Sequence, residues 1–255
     1  GGKVGKEGGK GEDNGLNNRL NQNEVKHIVS FSGGKDSTAM LIMMLEKKMQ
    51  VDEIIFCDTG KEFPQMYEHI RQVERYIGWE VTVLKWKYSF DYMLSEYANK
   101  KGKNIGRKGK GWPDSKIRWC TGFLKRDVLK QYFKGREIIQ YHGIAYDEPK
   151  RIGKNGTNIR YPLYDWGITE KQALAYCYNL GFTWGGLYEI FDRVSCWCCP
   201  LQPLRELENL YTYFPELWAE LIEMDKKSWR SFRADYTVAQ LTEKFRRKKL
   251  QLTLF

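Results

Sequence analysis

Residues 31–37 read Phe-Ser-Gly-Gly-Lys-Asp-Ser, FSGGKDS, at the junction between an apolar run and a helix-like run. Two adjacent glycines free the backbone so that its N–H groups can converge as an anion nest. The start of the following helix adds partial positive charge. Lys35 brings a full charge, and Ser32 and Ser37 bring hydroxyl donors. Asp36 is out of place in an anion site unless it holds a metal or caps the turn. Together the residues suit a pyrophosphate group with Mg²⁺. The spacing G-x-x-x-x-G-K-[ST] is absent, so this is not a Walker loop.

The surrounding pattern supplies a frame for that loop. KHIVSF (26–31), DEIIFCD (52–58), EVTVLKW (80–86) and REIIQYHG (136–143) predict strands. STAMLIMMLEKK (37–48), PQMYEHIRQVERYIG (64–78) and TGFLKRDVLKQYFKG (121–135) predict helices, the second with Pro64 at its first position and Gly78 at its end. Alternating strands and helices imply an α/β fold: a doubly wound, mostly parallel sheet with crossover helices. After about residue 160 the rhythm becomes helical. Thr169 is a candidate N-cap, Pro215 interrupts a long helical stretch, and the tail from Thr237 reads as helix. We therefore expect a flexible leader over 1–23, a nucleotide-binding α/β domain over 24–160, and an α-rich C-terminal region over 161–255 carrying a cysteine cluster.

The chain has 255 residues, 42% of them hydrophobic, and a formal charge of +10. No apolar run nears the roughly 20 residues of a membrane span, and no secretory signal is evident, so a cytoplasmic setting without membrane association is expected. The basic excess gathers in KKGKNIGRKGKGW (100–112) and EKFRRKKL (243–250). These read either as a mobile solvated loop and a solvated helix face or as phosphate contacts. Trp112, beside the first segment, suits packing or stacking on a base. A homo-oligomer is left open.

FSGGKDS resembles the PP-loop of ATP pyrophosphatases, and further stretches resemble the phosphoadenosine phosphosulfate (PAPS) reductase branch of that superfamily. They are FCDTGKEFPQMYEHI (56–70), GIAYDEPKR (143–151), YPLYDWGITEKQALAY (161–176) and GGLYEIFDRVSCWCCP (185–200). The similarity runs from about residue 26 to 205. It implies a PP-loop, Rossmann-like fold and an adenine nucleotide ligand. Ser32, Gly33, Gly34, Lys35, Asp36 and Ser37 would lie on the phosphates, with Asp58, Thr59 and Gly60 near the nucleotide. Gly143 would let the backbone approach it, and Asp147, Glu148 and Arg151 would line the same cleft. Ala145 and Pro149 depart from the family pattern, which often has Arg and Ser there.

Six cysteines in a chain read as cytoplasmic argue for metal or redox chemistry rather than disulfides. Cys196 and Cys199 form C-x-x-C, a spacing that lets two thiolates meet one metal. Cys120 opens a helix, where a thiolate would be stabilised, and it matches a place where reductases of the resembled family carry cluster cysteines. With Cys198 these could ligate a [4Fe–4S] cluster or Zn²⁺, or remain unliganded; Cys198 could instead be a reactive thiol. Cys57 and Cys177 read as core residues, and the three histidines as scattered structural groups.

The chain carries no cysteine after Cys199, whereas the family's reductases use a C-terminal nucleophile, and its PP-loop is the full form that the reductases usually alter. The expected function is therefore an enzyme that binds ATP with Mg²⁺ and cleaves it at the α-phosphate to adenylate an acceptor for sulfur transfer. Lys35, Asp36 and Arg151 would be its catalytic residues. The acceptor could be nucleic acid reached through the basic loop 100–110, with a separate sulfur donor. The alternatives are a PAPS or adenylyl-sulfate reductase and a silent nucleotide-binding regulatory module.

Overall fold

The computed structural model describes residues 25–100, 102–153 and 158–253. The leader expected over 1–23 lies outside the described residues. Strand β1 (Lys26–Ser30) leads through the glycine loop into α1 (Lys35–Glu46), and β2 (Glu53–Cys57) into α2 (Pro64–Ile77). Pro64 starts α2, and Gly78 ends it in the left-handed region at φ 65°, as the sequence predicts. β3 (Thr82–Leu84) is followed by a short helix the pattern did not announce, α3 (Phe90–Ser95), capped by the Ser89 side chain.

The helix expected over 121–135 is broken into three. α4 (Trp119–Thr121) passes into a π-helical turn (Gly122–Asp127) and then α5 (Val128–Tyr132). π-turns are rare and concentrate where side chains must be re-aimed. β4 (Ile138–His142) and a two-residue β5 (Ile159–Arg160) complete the sheet. Helices α6 (Pro162–Asp165), α7 (Glu170–Asn179), α8 (Leu187–Ile190), α9 (Leu204–Tyr213), α10 (Pro215–Lys227) and α11 (Val238–Thr253) follow. Thr169 and Gln172 make a full capping box on α7, and Pro215 divides α9 from α10. No described helix is long and apolar enough to cross a membrane.

The sheet order is β3-β2-β1-β4-β5, and every pairing is parallel. Central Val29 faces Ile54 on one side and Tyr141 on the other. Strand order reverses at β1, so the crevice between the carboxyl ends of β1 and β4 is the topological switch point where such sheets take ligands. FSGGKDS leaves one of those ends and Gly143 the other.

The sheet's two faces are buried separately. Ile28 and Ile55 pack under α5 with Phe133, while Val29, Ile54 and Phe56 join the large core with α1 and α2. That same large core takes in Leu207, Leu210, Trp218, Leu221 and Phe245 of the C-terminal helices and Phe232 between the last two. The C-terminal helices thereby share one continuous core with α1 and α2.

The basic segment 100–112 is tied down rather than loose among its described residues. The Asn99 amide donates to the carbonyls of Arg107 (2.9 Å) and Gly109 (2.6 Å), and Trp229 Nε1 donates to Gly109. A Cβ at Gly109 would lie 2.2 Å from the Leu94 carbonyl oxygen, so the glycine is what allows the loop to lie on α3. Trp112 is fully buried with Nε1 on Asp225 (2.8 Å), which fits its packing role and removes it from base stacking.

Candidate nucleotide and thiol site

A cavity of about 300 Å³ opens at the switch point. One end is lined by Ser32, Gly34, Lys35, Asp36 and Ser37 with Gly143, Arg151 and Glu170. The other end is lined by Cys120, Cys196 and Cys199 with Thr59, Glu62 and Lys125.

At the phosphate-loop end, hydroxyls knit the turn. Ser32 Oγ and Ser37 Oγ lie 3.0 Å apart, and Ser37 Oγ donates to the Gly34 carbonyl (3.0 Å). Gly33 adopts φ 77°, a conformation that favours glycine, and its carbonyl accepts from Trp184 Nε1 (2.7 Å). It does not line the cavity; a Cβ there would lie 2.6 Å from Met66 Sδ. Lys35 is 6% exposed. Its ammonium donates to Glu170 Oε1 (2.8 Å) and lies 3.6 Å from Asp36 Oδ2. Gly143 lines the cavity too, and its bareness also serves a contact within the protein. A Cβ there would lie 2.8 Å from Ser37 N and Cα, so the end of β4 approaches the start of α1 closely here.

Burial pushes the Asp36 carboxyl up to about 6, with Glu170 and Glu148 adding to the rise and Lys35 and Arg151 opposing it. Asp36 Oδ1 is buried without a hydrogen-bond partner. Asp36, Glu148 and Glu170 each bring one oxygen within 4.8 Å of the others. An orphaned carboxylate oxygen in an all-oxygen group of this kind suits a hard divalent cation such as Mg²⁺. Glu170 was not among the sequence candidates; it follows the Thr169 cap directly, and its own N–H donates to Asp147 Oδ1 (3.0 Å). Asp147 therefore ties α7 to the 143–148 loop and does not itself line the cavity. Arg151 pairs with Glu148 in the turn Pro149–Arg151.

The β2 end divides. Thr59 lines the cavity and donates to Glu62 (3.2 Å). Asp58 and Gly60 do not line it. Asp58 is buried and accepts from Tyr67 Oη (2.7 Å) and Gly60 N (2.8 Å), with Lys85 3.0 Å away. Although burial works against the charge, these partners hold its carboxyl below the usual range. Gly60, at φ 75°, closes that turn.

The four cysteines also divide. Cys120, Cys196 and Cys199 share the cavity, whereas Cys198 is 1% exposed and packs in the core. Cys196 Sγ lies 3.5 Å from both Thr59 Oγ1 and Glu62 Oε1. Burial pushes the thiols of Cys196, Cys198 and Cys199 up, so a bound metal would have to displace their protons. Lys125 stands 4.0 Å from Glu62. Burial works to lower its ammonium, but Cys196, Glu62, Cys57 and Cys120 outweigh that and raise it. Among the described residues no three sulfurs lie within 4.8 Å of one another. A single tetrahedral zinc, with Zn–S about 2.3 Å, would draw its sulfurs to about 3.8 Å apart. The arrangement therefore does not fit a preformed zinc site. Three cysteines on one cavity wall are a donor set of the kind iron–sulfur clusters take.

Cys57 is half-buried and pushed up to about 11 by burial, and buried Cys177 is pushed up to about 12. His69 is buried against Trp184, accepts or donates at Thr38 Oγ1 (2.9 Å), and is pushed down to about 3 by burial. The sequence reading missed Glu170, Tyr188, Glu62, Lys125 and Arg193. Glu62, Glu170, Tyr188 and Arg193 lie inside the quoted stretches 56–70, 161–176 and 185–200, and Lys125 follows Cys120 by about one helical turn, so each carried a local signal.

A family model described as the phosphoadenosine phosphosulfate reductase domain matches residues 26–202. Two uncharacterized proteins of Methanocaldococcus jannaschii are similar to the chain. One is 29% identical over 75% of this chain and 39% of its own length. The other is 26% identical over 78% of this chain and 47% of its own length. The chain thus spans less than half of either relative. Among solved structures it is similar to the phosphoadenylyl-sulfate reductase of Candida auris in a phosphate complex. There the identity is 19% and the TM-score 0.44, over 67% of this chain and 81% of that one.

Proposed function

The chain belongs to the phosphoadenosine phosphosulfate reductase domain family, and from that premise we propose that it binds ATP and cleaves it at the α-phosphate, adenylating an acceptor for sulfur transfer. One observation carries the reading: a single cavity is lined both by Ser32, Gly34, Lys35, Asp36 and Ser37 of the SGGKDS loop and by three cysteines.

The loop's glycines and the start of α1 present N–H groups to the β- and γ-phosphates. Ser32 and Ser37 orient phosphate oxygens, and the Lys35 ammonium offsets charge on the departing pyrophosphate. An acceptor oxygen attacks the α-phosphorus as its bond to the β-phosphate oxygen breaks. A sulfur nucleophile then displaces AMP from the adenylated acceptor. Arg151, at the cavity wall, is positioned to neutralise the α-phosphate. A divalent cation held by Asp36, Glu148 and Glu170 would supply charge neutralisation at the phosphates. A [4Fe–4S] cluster held by Cys120, Cys196 and Cys199 would supply a sulfur-binding centre. Lys125 offsets negative charge among the thiols, and Glu62 and Thr59 orient Cys196.

Nucleic acid is the acceptor this reading favours. Lys103, Arg107, Lys108, Lys116 and Arg118 are exposed along a segment that ends at the cavity, where Arg118 is part of the lining. Such a cationic track suits phosphate contacts.

Anaerobically purified protein should release pyrophosphate from ATP with Mg²⁺, faster when an RNA or DNA acceptor is added. Binding that weakens steeply with salt would accompany it. Sulfite formation from PAPS with a thiol donor, without pyrophosphate release from ATP, would instead establish the reductase reading. ATP binding without turnover under any condition would leave a regulatory module.

A further inference from the structure

Tyr188 sits on the phosphate loop without a part in the reaction above. Its phenol oxygen accepts the backbone N–H of Lys35 at 2.8 Å. Lys35 is the first residue of α1, and its N-cap, Gly34, supplies no side-chain cap. That amide is one of the orphan donors with which a helix start grips an anion. The phenol oxygen would lie 3.3 Å from a Cβ placed on Gly34, and the Lys35 ammonium lies 5.4 Å from the ring centroid. The tyrosine thus covers the amide and flanks the ammonium that the phosphates would use. Burial holds its hydroxyl well above the ordinary phenol range, so it stays neutral beside Asp36 and Glu170.

The chain before Tyr188 leaves helical geometry, and the Tyr188 ring packs edge-to-face on Trp184 at 4.9 Å. Trp184, Gly185 and Gly186 all have positive φ, at 50°, 58° and 83°. Trp184 is anchored, with Nε1 on the Gly33 carbonyl (2.7 Å) and its ring stacked on His69 at 4.2 Å. The two glycines break the helical path between that anchor and Tyr188. Beyond Tyr188 the same segment runs on to Cys196 and Cys199 in the cavity wall.

We propose that the Tyr188 hydroxyl holds the place of a phosphate oxygen on the Lys35 amide, and that an entering pyrophosphate group displaces it. Its release then lets residues 187–199 reset Cys196 and Cys199 against the cavity. Tyr188 is a positioning residue that couples occupancy of the phosphate loop to the thiols. This inference rests on the nucleotide reading and adds a link between the two ends of the site.

Calorimetric titration with inorganic pyrophosphate and with ATP, on the full chain and on Tyr188→Phe, tests the displacement. Removing one competing neutral hydrogen bond should tighten pyrophosphate binding about fivefold, or about 1 kcal/mol. Hydrogen exchange tests the coupling. Pyrophosphate should speed exchange in peptides covering 187–195 of the parent protein, and Tyr188→Phe should show the faster exchange without ligand. Tyr188→Leu carries the same expectations should Tyr188→Phe fail to fold. Equal or weaker pyrophosphate binding by the variant overturns the inference, as does exchange over 187–195 that ignores pyrophosphate in the parent. If the parent binds neither ATP nor pyrophosphate, the nucleotide reading falls with it. Binding by the parent, with the variant indistinguishable, removes the Tyr188 inference alone.

Discussion

The ammonium of Lys35 lies 2.8 Å from Oε1 of Glu170, joining the phosphate loop to the first turn of α7 across the cavity mouth. The pair has two consequences. It fixes a nearly buried ammonium at the cavity, and it commits Glu170 to the loop. In the proposed reaction, phosphates entering the loop would compete with Glu170 for the lysine, and the released carboxylate would then be available with Asp36 and Glu148 for a cation. Lys35→Met should lower the rate of pyrophosphate release by roughly 10²–10³ fold, the usual cost of removing a group that stabilises developing charge. Glu170→Gln should raise the Mg²⁺ concentration needed for half-maximal release. Rates measured across a Mg²⁺ series check both.

Asp36 makes stability depend on pH with a definite sign. Its folded pKa of about 6 lies above the ordinary 3.8, so the folded protein holds this proton more tightly than the unfolded chain does. The resulting stability is present below about pH 4 and is lost as pH rises through about 6. In chelator-treated protein, Asp36→Asn should therefore be more stable than the parent at pH 8, by roughly 2–3 kcal/mol, and about equal to it near pH 4. Urea unfolding at the two pH values measures this. Excess Mg²⁺ at pH 8 should shrink the difference.

Gly143→Ala should be among the more damaging single-methyl additions. The added carbon meets backbone atoms of Ser37 and Asp36 at 2.8–2.9 Å, which no rotamer change relieves. A loss of roughly 2–4 kcal/mol is expected, with weaker ATP binding because the clash falls on the loop itself. Gly60→Ala, where a Cβ would meet nothing within 4 Å, should cost only its positive-φ strain, about 1 kcal/mol. Denaturation midpoints of the two variants give the comparison.

The cysteines should separate by position. Cys120→Ser, Cys196→Ser and Cys199→Ser are each expected to lower bound iron and the visible absorbance of anaerobically prepared protein. Cys198→Ser should leave both unchanged and instead reduce stability by roughly 1–3 kcal/mol, because a hydroxyl replaces a core thiol. Loss of iron on Cys198→Ser alone would contradict the division seen in the cavity.

Sequence alone determined the strand–loop–helix identity of 26–46, the parallel α/β order, and the caps at Pro64, Gly78 and Thr169. Each of these is set within a few neighbouring residues by apolar periodicity, glycine torsion or a side-chain cap. It also pointed to the loop and to Cys120, Cys196, Cys198 and Cys199 as chemistry-bearing groups. Tertiary structure decided what meets what. Glu170 and Tyr188 reach Lys35 across more than a hundred residues, and no local pattern encodes that. The same packing turned Cys198 inward while Cys196 and Cys199 face the cavity, set Asp58 and Gly60 outside its lining, and pressed Gly143 against the start of α1. A spacing such as C-x-x-C says which side chains can converge; only the buried contacts on every side determine which of them do.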